Sequence, residues 1–453
     1  MKTITHKLLT ALLALFCVNN AIAQFSMEGD LRPRLEVRNG FKKPILESET
    51  PAAFIEQRAR ISTIYKKEKL GFKVSLQDVR IWGEVGQINK SDQLLSAHEA
   101  YGEIFLTAKS TFRIGRQELI YDEARFFGNL DWAMQGRSFD ALRYMYKDEN
   151  GNQFDFMGAW NQAGFGDGAP EPGKLVGTSY SIATGGGANP RIFNLELPKA
   201  QFIGYYKRTL TSGSVALMVL NDNYHPNDST TYSDFTVGLT PDFKFDKLKA
   251  GGQFYYTGGK AGKDLDLSGY MLNAYIQHTG IFSSPLIGFD YLTGDDEDTA
   301  DKIEGWSPKY GTNHKFYGFM DYFYVGNGHG GGNAGSAGLL DVYLKTNFKL
   351  SEKTSLMGHI HYFASAAERT NTVDGKAYKG TLGTELDIVL SHKIADGIAF
   401  QAGYSQMFGI TDTMKQLKLG NTTAEISGMQ NWGWVMLTFT PKLFTKEFEV
   451  KEL

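Results

Sequence analysis

The sequence predicts an all-β fold, a transmembrane antiparallel β-barrel of about 18 strands with short periplasmic turns and long extracellular loops. Three observations predict it. Amphipathic strand candidates recur along the chain, short and long connections alternate between them, and an amino-terminal export signal precedes a chain without a later apolar run of membrane length. Strands with one apolar and one polar face can cross a bilayer only in a closed barrel, where every backbone group is paired.

The first element is a secretory signal over residues 1–23. Lys2 and Lys7 give it a positive start, LLTALLALFCV is its apolar core, and Ala21-Ile22-Ala23 predicts cleavage before Gln24. Residues 24–453 then form a single barrel, with residues 441–453 as a short periplasmic tail. Cys17 is the only cysteine, so the mature chain is expected to lack disulfides, thiol chemistry and cysteine-based metal sites.

The composition fits a barrel better than a soluble protein of two or three domains. A mean hydropathy of −0.30 resembles that of a soluble chain, yet 51 glycines and 13% aromatic residues are spread along it without a linker. A barrel explains both, because half of each strand faces a wet lumen and the loops are polar. The net charge of −3 argues against nucleic acid as a partner.

The first two strand segments show the clearest alternation. In 30–38 and in 54–65, charged side chains occupy every second position and apolar ones lie between them. In 72–82 the phase slips, and a β-bulge near Gln77-Asp78 is expected to restore it. The further candidates are 97–107, 110–118, 137–147, 152–161, 200–208, 213–222, 232–241, 247–259, 266–278, 284–293, 337–349, 354–364, 379–391, 397–408 and 430–440.

A nineteenth segment, residues 315–325, also has strand character, but the connections argue against it. Single-chain bacterial barrels have an even number of strands, with short turns at one end and long loops at the other. Only with 315–325 inside an outer loop does every second connection stay short. Aromatic residues crowd the strand ends, as the girdles at a membrane surface do.

Arginine is concentrated on the early strands. A charged side chain on the lipid-facing surface costs about 2–4 kcal/mol at the membrane midplane. Arginines on the strands are therefore expected to face the lumen. Guanidinium groups suit the recognition of carboxylate or phosphate, so a ladder of them could pass an anionic sugar along the wall. The alternative is structural, with arginines and acidic residues bracing neighbouring strands. The candidate lumen residues are Arg32, Arg34, Arg38, Arg58, Arg60, Arg80 and Arg137.

His359 and His361 fall on one strand face and could bind a metal ion. With no cysteine partner and no third ligand evident in the sequence, a polar lumen face is the preferred interpretation. No metal and no cofactor are therefore expected. No catalytic motif is recognisable either, so the chain is not expected to be an enzyme.

Three blocks of sequence carry a family resemblance: residues 99–144 (EAYGEIFLTAKSTFRIGRQELIYDEARFFGNLDWAMQGRSFDALRY), 311–325 (GTNHKFYGFMDYFYV) and 382–398 (LGTELDIVLSHKIADGI). In this order they resemble the alginate-export family of outer-membrane channels. The resemblance implies a monomeric barrel of eighteen strands with an arginine-lined constriction. It assigns the site to Arg113 and Arg116, to the acidic strand with Glu99 and Glu103, and to Glu385 and Asp387.

Two features depart from the family pattern. The family's plug loop before the penultimate strand is reduced here to HKIADG, and the last strand, WGWVMLTFT, is followed by PKLFTKEFEVKEL.

The resulting expectation is an outer-membrane channel of a Gram-negative cell that passively conducts an anionic polysaccharide or oligosaccharide, such as an alginate-like polyuronate. Its partners would be membrane lipid and lipopolysaccharide, the polymer and a periplasmic export protein. Two alternatives stay open. One is a porin for uptake of small anionic solutes, and the other is a surface adhesin or structural barrel.

Overall fold

A computed structural model describes residues 21–88, 94–161, 198–227, 230–280, 282–296, 298–325, 336–370, 375–420 and 422–450. Most of the signal segment and of the longest connection, 162–199, lies outside these residues. Signal cleavage therefore stays a prediction. The described chain forms a closed antiparallel barrel of eighteen strands, so the predicted fold class is confirmed.

The wall strands coincide with the eighteen segments expected from alternation, and each pairs with its neighbour along the chain. They are β1 (Ala21–Asn39), β2 (Ala52–Lys67), β3 (Leu70–Ile81), β4 (Leu95–Thr107), β5 (Ser110–Gln117), β6 (Phe139–Lys147), β7 (Gln153–Trp160), β8 (Ala200–Leu210), β9 (Gly213–Asn227), β10 (Thr230–Phe245), β11 (Leu248–Gly262), β12 (Leu265–His278), β13 (Leu286–Leu292), β15 (Leu339–Lys349), β16 (Thr354–Ala364), β19 (Thr381–Ala395), β20 (Ile398–Phe408) and β21 (Gln430–Phe439).

Pairing of the last wall strand with the first closes the barrel. Residues from Leu31 to Asn39 of β1 pair with β21. The segment expected as a tail forms a further strand, β22 (Lys442–Val450), which continues beyond Pro441 and pairs with residues 21–28 of β1. Residues 442–450 therefore extend the sheet, and the periplasmic location of this segment stays a prediction.

The barrel has its apolar side chains outside. Leu35, Ile61, Leu142, Val219 and Ile287 are typical of an outward belt in which large apolar side chains are 44 to 61% exposed. Charged and amide side chains occupy the buried, inward positions of the same strands. Such a belt cannot face water without a large cost, and it matches the lipid-facing surface of an outer-membrane barrel.

The remaining elements lie in the long connections. They are β14 (Lys302–Ile303), a 3-10 turn (Asn313–Lys315), a small hairpin of β17 (Arg369–Thr370) and β18 (Ala377–Tyr378), and α1 (Asp412–Leu419). The Thr411 hydroxyl caps α1 by accepting from the backbone N–H of Met414, at 3.2 Å. Among the described residues, no helix has the length and apolarity needed to span a bilayer.

Candidate functional site

Two long connections fold into the barrel instead of extending away from it. We call residues 118–138, between β5 and β6, inward loop 1, and residues 304–325, between β14 and β15, inward loop 2. The segment 315–325 is thus a loop, as the parity of connections predicted. It is nonetheless buried: Tyr317, Met320 and Phe323 have no exposed surface.

The two inward loops pack on each other through aromatic rings and backbone hydrogen bonds. Phe127 of loop 1 stacks on Tyr310 of loop 2 with ring centroids 4.8 Å apart, and Trp132 stacks on His314 at 4.5 Å. The backbone N–H of Gly128 donates to the carbonyl of Tyr310, at 2.9 Å. The pair of loops therefore behaves as one packed body inside the lumen.

Inward loop 1 is fastened to the arginines of the first two strands. Asp131 accepts hydrogen bonds from Arg32, at 3.2 Å, and from Arg58, at 3.0 Å. Beside it, Arg34 donates to the carbonyl oxygen of Trp132 at 2.8 Å and lies 4.0 Å from the centre of the indole ring. Much of the arginine ladder thus holds the loop.

The loops are also fastened to other parts of the wall. Arg125 of loop 1 donates to Asp290 on β13 at 2.8 Å, and both side chains are at most 3% exposed. Lys309 of loop 2 donates to Asp222 on β9, at 3.1 Å, and Tyr310 donates to the same carboxylate at 2.8 Å. Since these anchors lie on well-separated strands, the two loops span the middle of the barrel.

Wall arginines are also paired within the sheet, and Arg34 makes both kinds of contact. Arg34 is 2% exposed and bridges Glu36, at 2.8 Å, to Glu56, at 3.1 Å. Arg38 donates to the second oxygen of Glu36, at 2.9 Å. On the acidic strand, Glu103 accepts from Arg113 at 2.7 Å. These contacts support the bracing interpretation of the ladder, and direct contact of these arginines with a solute stays a prediction.

Three further expected site residues neither hold Asp131 nor pair with the arginines above: they are Glu99, Arg60 and Arg137. Glu99 forms an ion pair with Lys73. Arg60 donates to the Gln77 amide oxygen at 2.7 Å, and within the described chain it has no carboxylate partner. Arg137 belongs to inward loop 1 and donates to the carbonyl of Gly311 in loop 2, at 3.2 Å. Burial lowers the pKa of Arg137 to about 10.

The expectation that Arg80 faces the lumen is wrong. The pairing of β2 with β3 is continuous, so Arg80 lies opposite Gln57 and the inward position falls to Val79, opposite Arg58. The irregularity expected near Gln77-Asp78 lies instead in the pairing of β3 with β4, between Ser75 and Leu76. Arg80 is on the outward face near the end of β3.

Arg116 also lies on the outward face, contrary to expectation. It shares that face with Phe112 and Ile114, and its side chain is 45% exposed. The reason is the period of two along a strand, because Arg113 and Arg116 are an odd number of residues apart. Arg116 is tolerated there because it lies at the strand end, where the cost of an outward charge falls to about 0–1 kcal/mol, and pairs with Asp140 at 2.8 Å.

Glu385 and Asp387 both project from β19 toward the interior and are at most 1% exposed. Glu385 accepts a hydrogen bond from the backbone N–H of Met320 in inward loop 2, at 2.7 Å. Asp387 accepts from the Ser405 hydroxyl at 2.5 Å. The expected site residues are therefore divided between separate sectors of the wall instead of one ring.

Below the inward loops, toward the short turns, the barrel contains a cavity of about 820 Å³, which we call the basic vestibule. Aromatic side chains line it, including Trp132 and Phe319 from the inward loops and Trp434 from the wall. Its charged lining residues are Arg32, Lys315, Lys349, Lys353 and Lys393, against Asp131 and Glu352. Within the described chain, Lys349 and Lys353 form no ion pair.

The vestibule was not predicted from the sequence. Two of its lysines, Lys353 and Lys393, come from the turns LSEKT and HKIADG, which looked like ordinary polar turns. A usable signal did exist for the inward loops, because FFGNLDW and FYGFMDYFYV are too rich in aromatic residues to remain in water. Loops of that composition must be buried, and the two inward loops bury these rings against each other inside the lumen.

Residues 23–163 match the family model described as alginate export, which confirms the resemblance over that range. None of the curated proteins matches the chain.

Among solved structures, the chain is similar to OccK8 (OprE) of Pseudomonas aeruginosa, with TM-score 0.56, 10% identity, and 93% of this chain and 98% of that chain covered. It is also similar to a BenF-like porin from Pseudomonas fluorescens Pf-5, with TM-score 0.57, 10% identity, and coverage of 92% and 99%. The third is OccAB4 of Acinetobacter baumannii, with TM-score 0.54, 11% identity, and 94% of this chain and 98% of that chain covered. At such low identity these structures support the barrel fold alone.

Proposed function

Because this chain is an outer-membrane β-barrel whose residues 23–163 match the alginate export family, we propose that it conducts an anionic polysaccharide or its oligomers, alginate-like in charge. The observation that carries the proposal is the basic vestibule. Five of its seven formally charged lining residues are cationic, and aromatic rings lie among them. A uronate chain presents a carboxylate on each sugar and an apolar face on each ring, and this lining can bind both.

The vestibule, rather than the arginine ladder, is the first contact in this proposal. Lys349 is the last residue of β15 and Lys353 lies in the turn that follows it, so their ammonium groups lie at the mouth of the lumen. Unpaired lysines hold a mobile anion loosely, which suits a conduit from which the solute must also leave. Arg32 lies further in, next to Asp131, where an incoming carboxylate can compete for its guanidinium.

Passage requires the two inward loops to move, since they span the lumen. Their anchors are charge pairs such as Arg32–Asp131, and an anionic polymer offers the same chemistry as the acidic partner. In this proposal the carboxylates of the polymer replace the loop carboxylates on the wall arginines, which releases the inward loops and opens the lumen. The channel acts as a monomer, and a periplasmic protein delivers the polymer to the vestibule.

The test is ion selectivity in planar bilayers with Lys349→Gln and Lys353→Gln combined. In a salt gradient the wild type is expected to prefer anions, and oligouronates added on the short-turn side should block the current. The double variant should shift the reversal potential toward zero and weaken the block. The shift should shrink at high salt, since the screening length is about 8 Å at physiological ionic strength.

Lys247→Gln is the matched control, because Lys247 lies in the turn between β10 and β11 and does not line the vestibule. This variant should keep the wild-type selectivity and block. Cation preference in the wild type, or equal effects of the control and of the double variant, would refute the proposal. Free passage of small anionic solutes without block by oligomers would favour an uptake porin instead.

A further inference from the structure

A compact group of metal-ligand side chains lies in the wall above the vestibule. His359 and His361 project inward from β16 and Asp387 projects inward from β19, directly opposite His359. One potential ligand atom from each lies within 4.8 Å of those of the other two. All three side chains are buried, with exposures of 8%, 1% and 1%. The sequence had offered only the two histidines and no third ligand.

Ligand atoms in this group are not used by the protein itself. His359 Nδ1 and one carboxylate oxygen of Asp387 have no hydrogen-bond partner in the described chain, although both are buried. The same Asp387 oxygen is 3.9 Å from His361 Nε2, which is too far for a hydrogen bond. Buried polar atoms are nearly always satisfied, so this concentration of unsatisfied ones requires an explanation.

Asp341 on β15 prepares His361 for a metal ion. Both carboxylate oxygens of Asp341 lie 2.9 Å from His361 Nδ1. A proton held on Nδ1 by this carboxylate leaves the lone pair of Nε2 free and directed at Asp387. Histidines that bind metal ions in proteins typically donate their other ring N–H to a carboxylate in this way.

We propose that His359, His361 and Asp387 form a binding site for a divalent transition-metal ion, with zinc as the best match. Two imidazole nitrogens and one carboxylate oxygen are a common protein ligand set for zinc, with water in the fourth position. Zinc ligands lie about 2.0–2.2 Å from the ion, so the three side chains would close around it by small rotations.

The charges around the group are compatible with a divalent cation. Glu385 lies beside Asp387 on the same face of β19, and one of its carboxylate oxygens is also unpartnered in the described chain. Lys345 is the cation that faces His359 from β15. The carboxylates of Asp387 and of Asp341, which lies behind His361, outweigh this single ammonium group.

A single aromatic side chain connects the group to the vestibule. The ring of Phe319, in inward loop 2, lies 5.2 Å from the His359 ring and also lines the vestibule. Rotation of this one side chain would expose His359 to the cavity. A bound ion would tie β16 to β19 beside Glu385, which holds Met320 of the same loop, so metal binding would stiffen the wall where inward loop 2 is anchored.

The test is metal binding by the full-length protein in detergent, purified without a polyhistidine tag and treated with a chelator. Titration calorimetry with Zn²⁺ should give one site per chain, and Co²⁺ should give the intense visible absorption of a tetrahedral site. His359→Gln should abolish both signals. Asp341→Asn should weaken the affinity by about 10–100-fold, the usual effect of losing the carboxylate behind a metal-binding histidine.

His278→Gln is the control, because His278 is exposed at the end of β12, away from the group, and its loss should change nothing. Heat-modifiable gel migration verifies that each variant has folded. If His359→Gln does not fold, the wild type still decides the question, because Zn²⁺ must raise its melting temperature with concentration. Absence of stoichiometric binding in the wild type, or unchanged binding in His359→Gln, would overturn the proposal.

Discussion

Replacing Arg125 by methionine should release inward loop 1 from the far wall of the barrel. The Arg125 guanidinium donates to Asp290 on β13 and lies 3.8 Å from the centre of the Phe316 ring in inward loop 2. It therefore connects the wall to both loops. Methionine keeps the apolar length of the side chain but removes the charge and the hydrogen bonds.

The magnitude follows from the burial of the pair. Removing one partner of a buried ion pair costs about 3–5 kcal/mol, because the other charge stays buried without compensation. Asp290 keeps one donor, the Asn273 side-chain amide at 2.6 Å, so the lower end, about 3 kcal/mol, applies. Since about 1.4 kcal/mol corresponds to a factor of ten, the ratio of anchored to released loop should fall by about 10²-fold.

Single-channel conductance measures this change. Arg125→Met should produce frequent openings of higher conductance than the wild type, and Arg125→Met with Asp290→Asn should restore much of the closed state, since no buried charge is then left alone. Arg113→Met is the control: Arg113 pairs with Glu103 and lies over the Tyr101 ring, both on the neighbouring strand β4, so these contacts join wall strands and fasten no loop. A folded Arg125→Met with wild-type conductance would refute the anchoring argument.

Three further outcomes are expected. Burial raises the pKa of Asp131, but Arg32 and Arg58 outweigh this effect and hold the pKa below its ordinary value of 3.8. The ion pairs that anchor inward loop 1 are therefore intact above pH 3.8 and are lost as the pH falls through the lowered pKa. Acid should then raise the conductance. Asp131→Asn should do the same at neutral pH, and a variant that still needs acid to open would contradict this. Arg116→Cys should react with a charged thiol reagent without a change in conductance, whereas labelled Arg32→Cys should change it; equal effects would place both side chains in the lumen. Truncation after Pro441 should lower the thermal stability of the barrel, seen by heat-modifiable migration, because residues 24–28 of β1 lose β22 on one side and keep only β2 on the other. Unchanged stability would mean that β22 does not stabilise the barrel.

The wall of this barrel was predictable because its signal is local. Alternation with a period of two and the length of each connection located all eighteen wall strands and correctly assigned 315–325 to a loop. The same parity, applied strictly to Arg113 and Arg116, would also have placed Arg116 outside. Arg80 was misplaced for a related reason, since a bulge was assumed in β3 while the irregularity lies in its pairing with β4.

The interior was not predictable to the same degree, because it depends on contacts between distant parts of the chain. Nothing local to Asp131 indicates that it meets Arg32 and Arg58, which are 99 and 73 residues away along the chain. Likewise, Asp387 completes the histidine group only through the pairing of β16 with β19. Register between strands, and the inward folding of two loops, decide which charges meet.

Release of oligouronates from proteoliposomes tests the central claim most directly. Vesicles containing the purified barrel are loaded with uronate oligomers and with neutral oligosaccharides of equal length, and the efflux of each is followed. Faster efflux of the uronates, reduced in Lys349→Gln with Lys353→Gln, is the predicted result. Equal efflux of the two sugars, or retention of both by a barrel that has inserted and conducts small ions, would contradict the account.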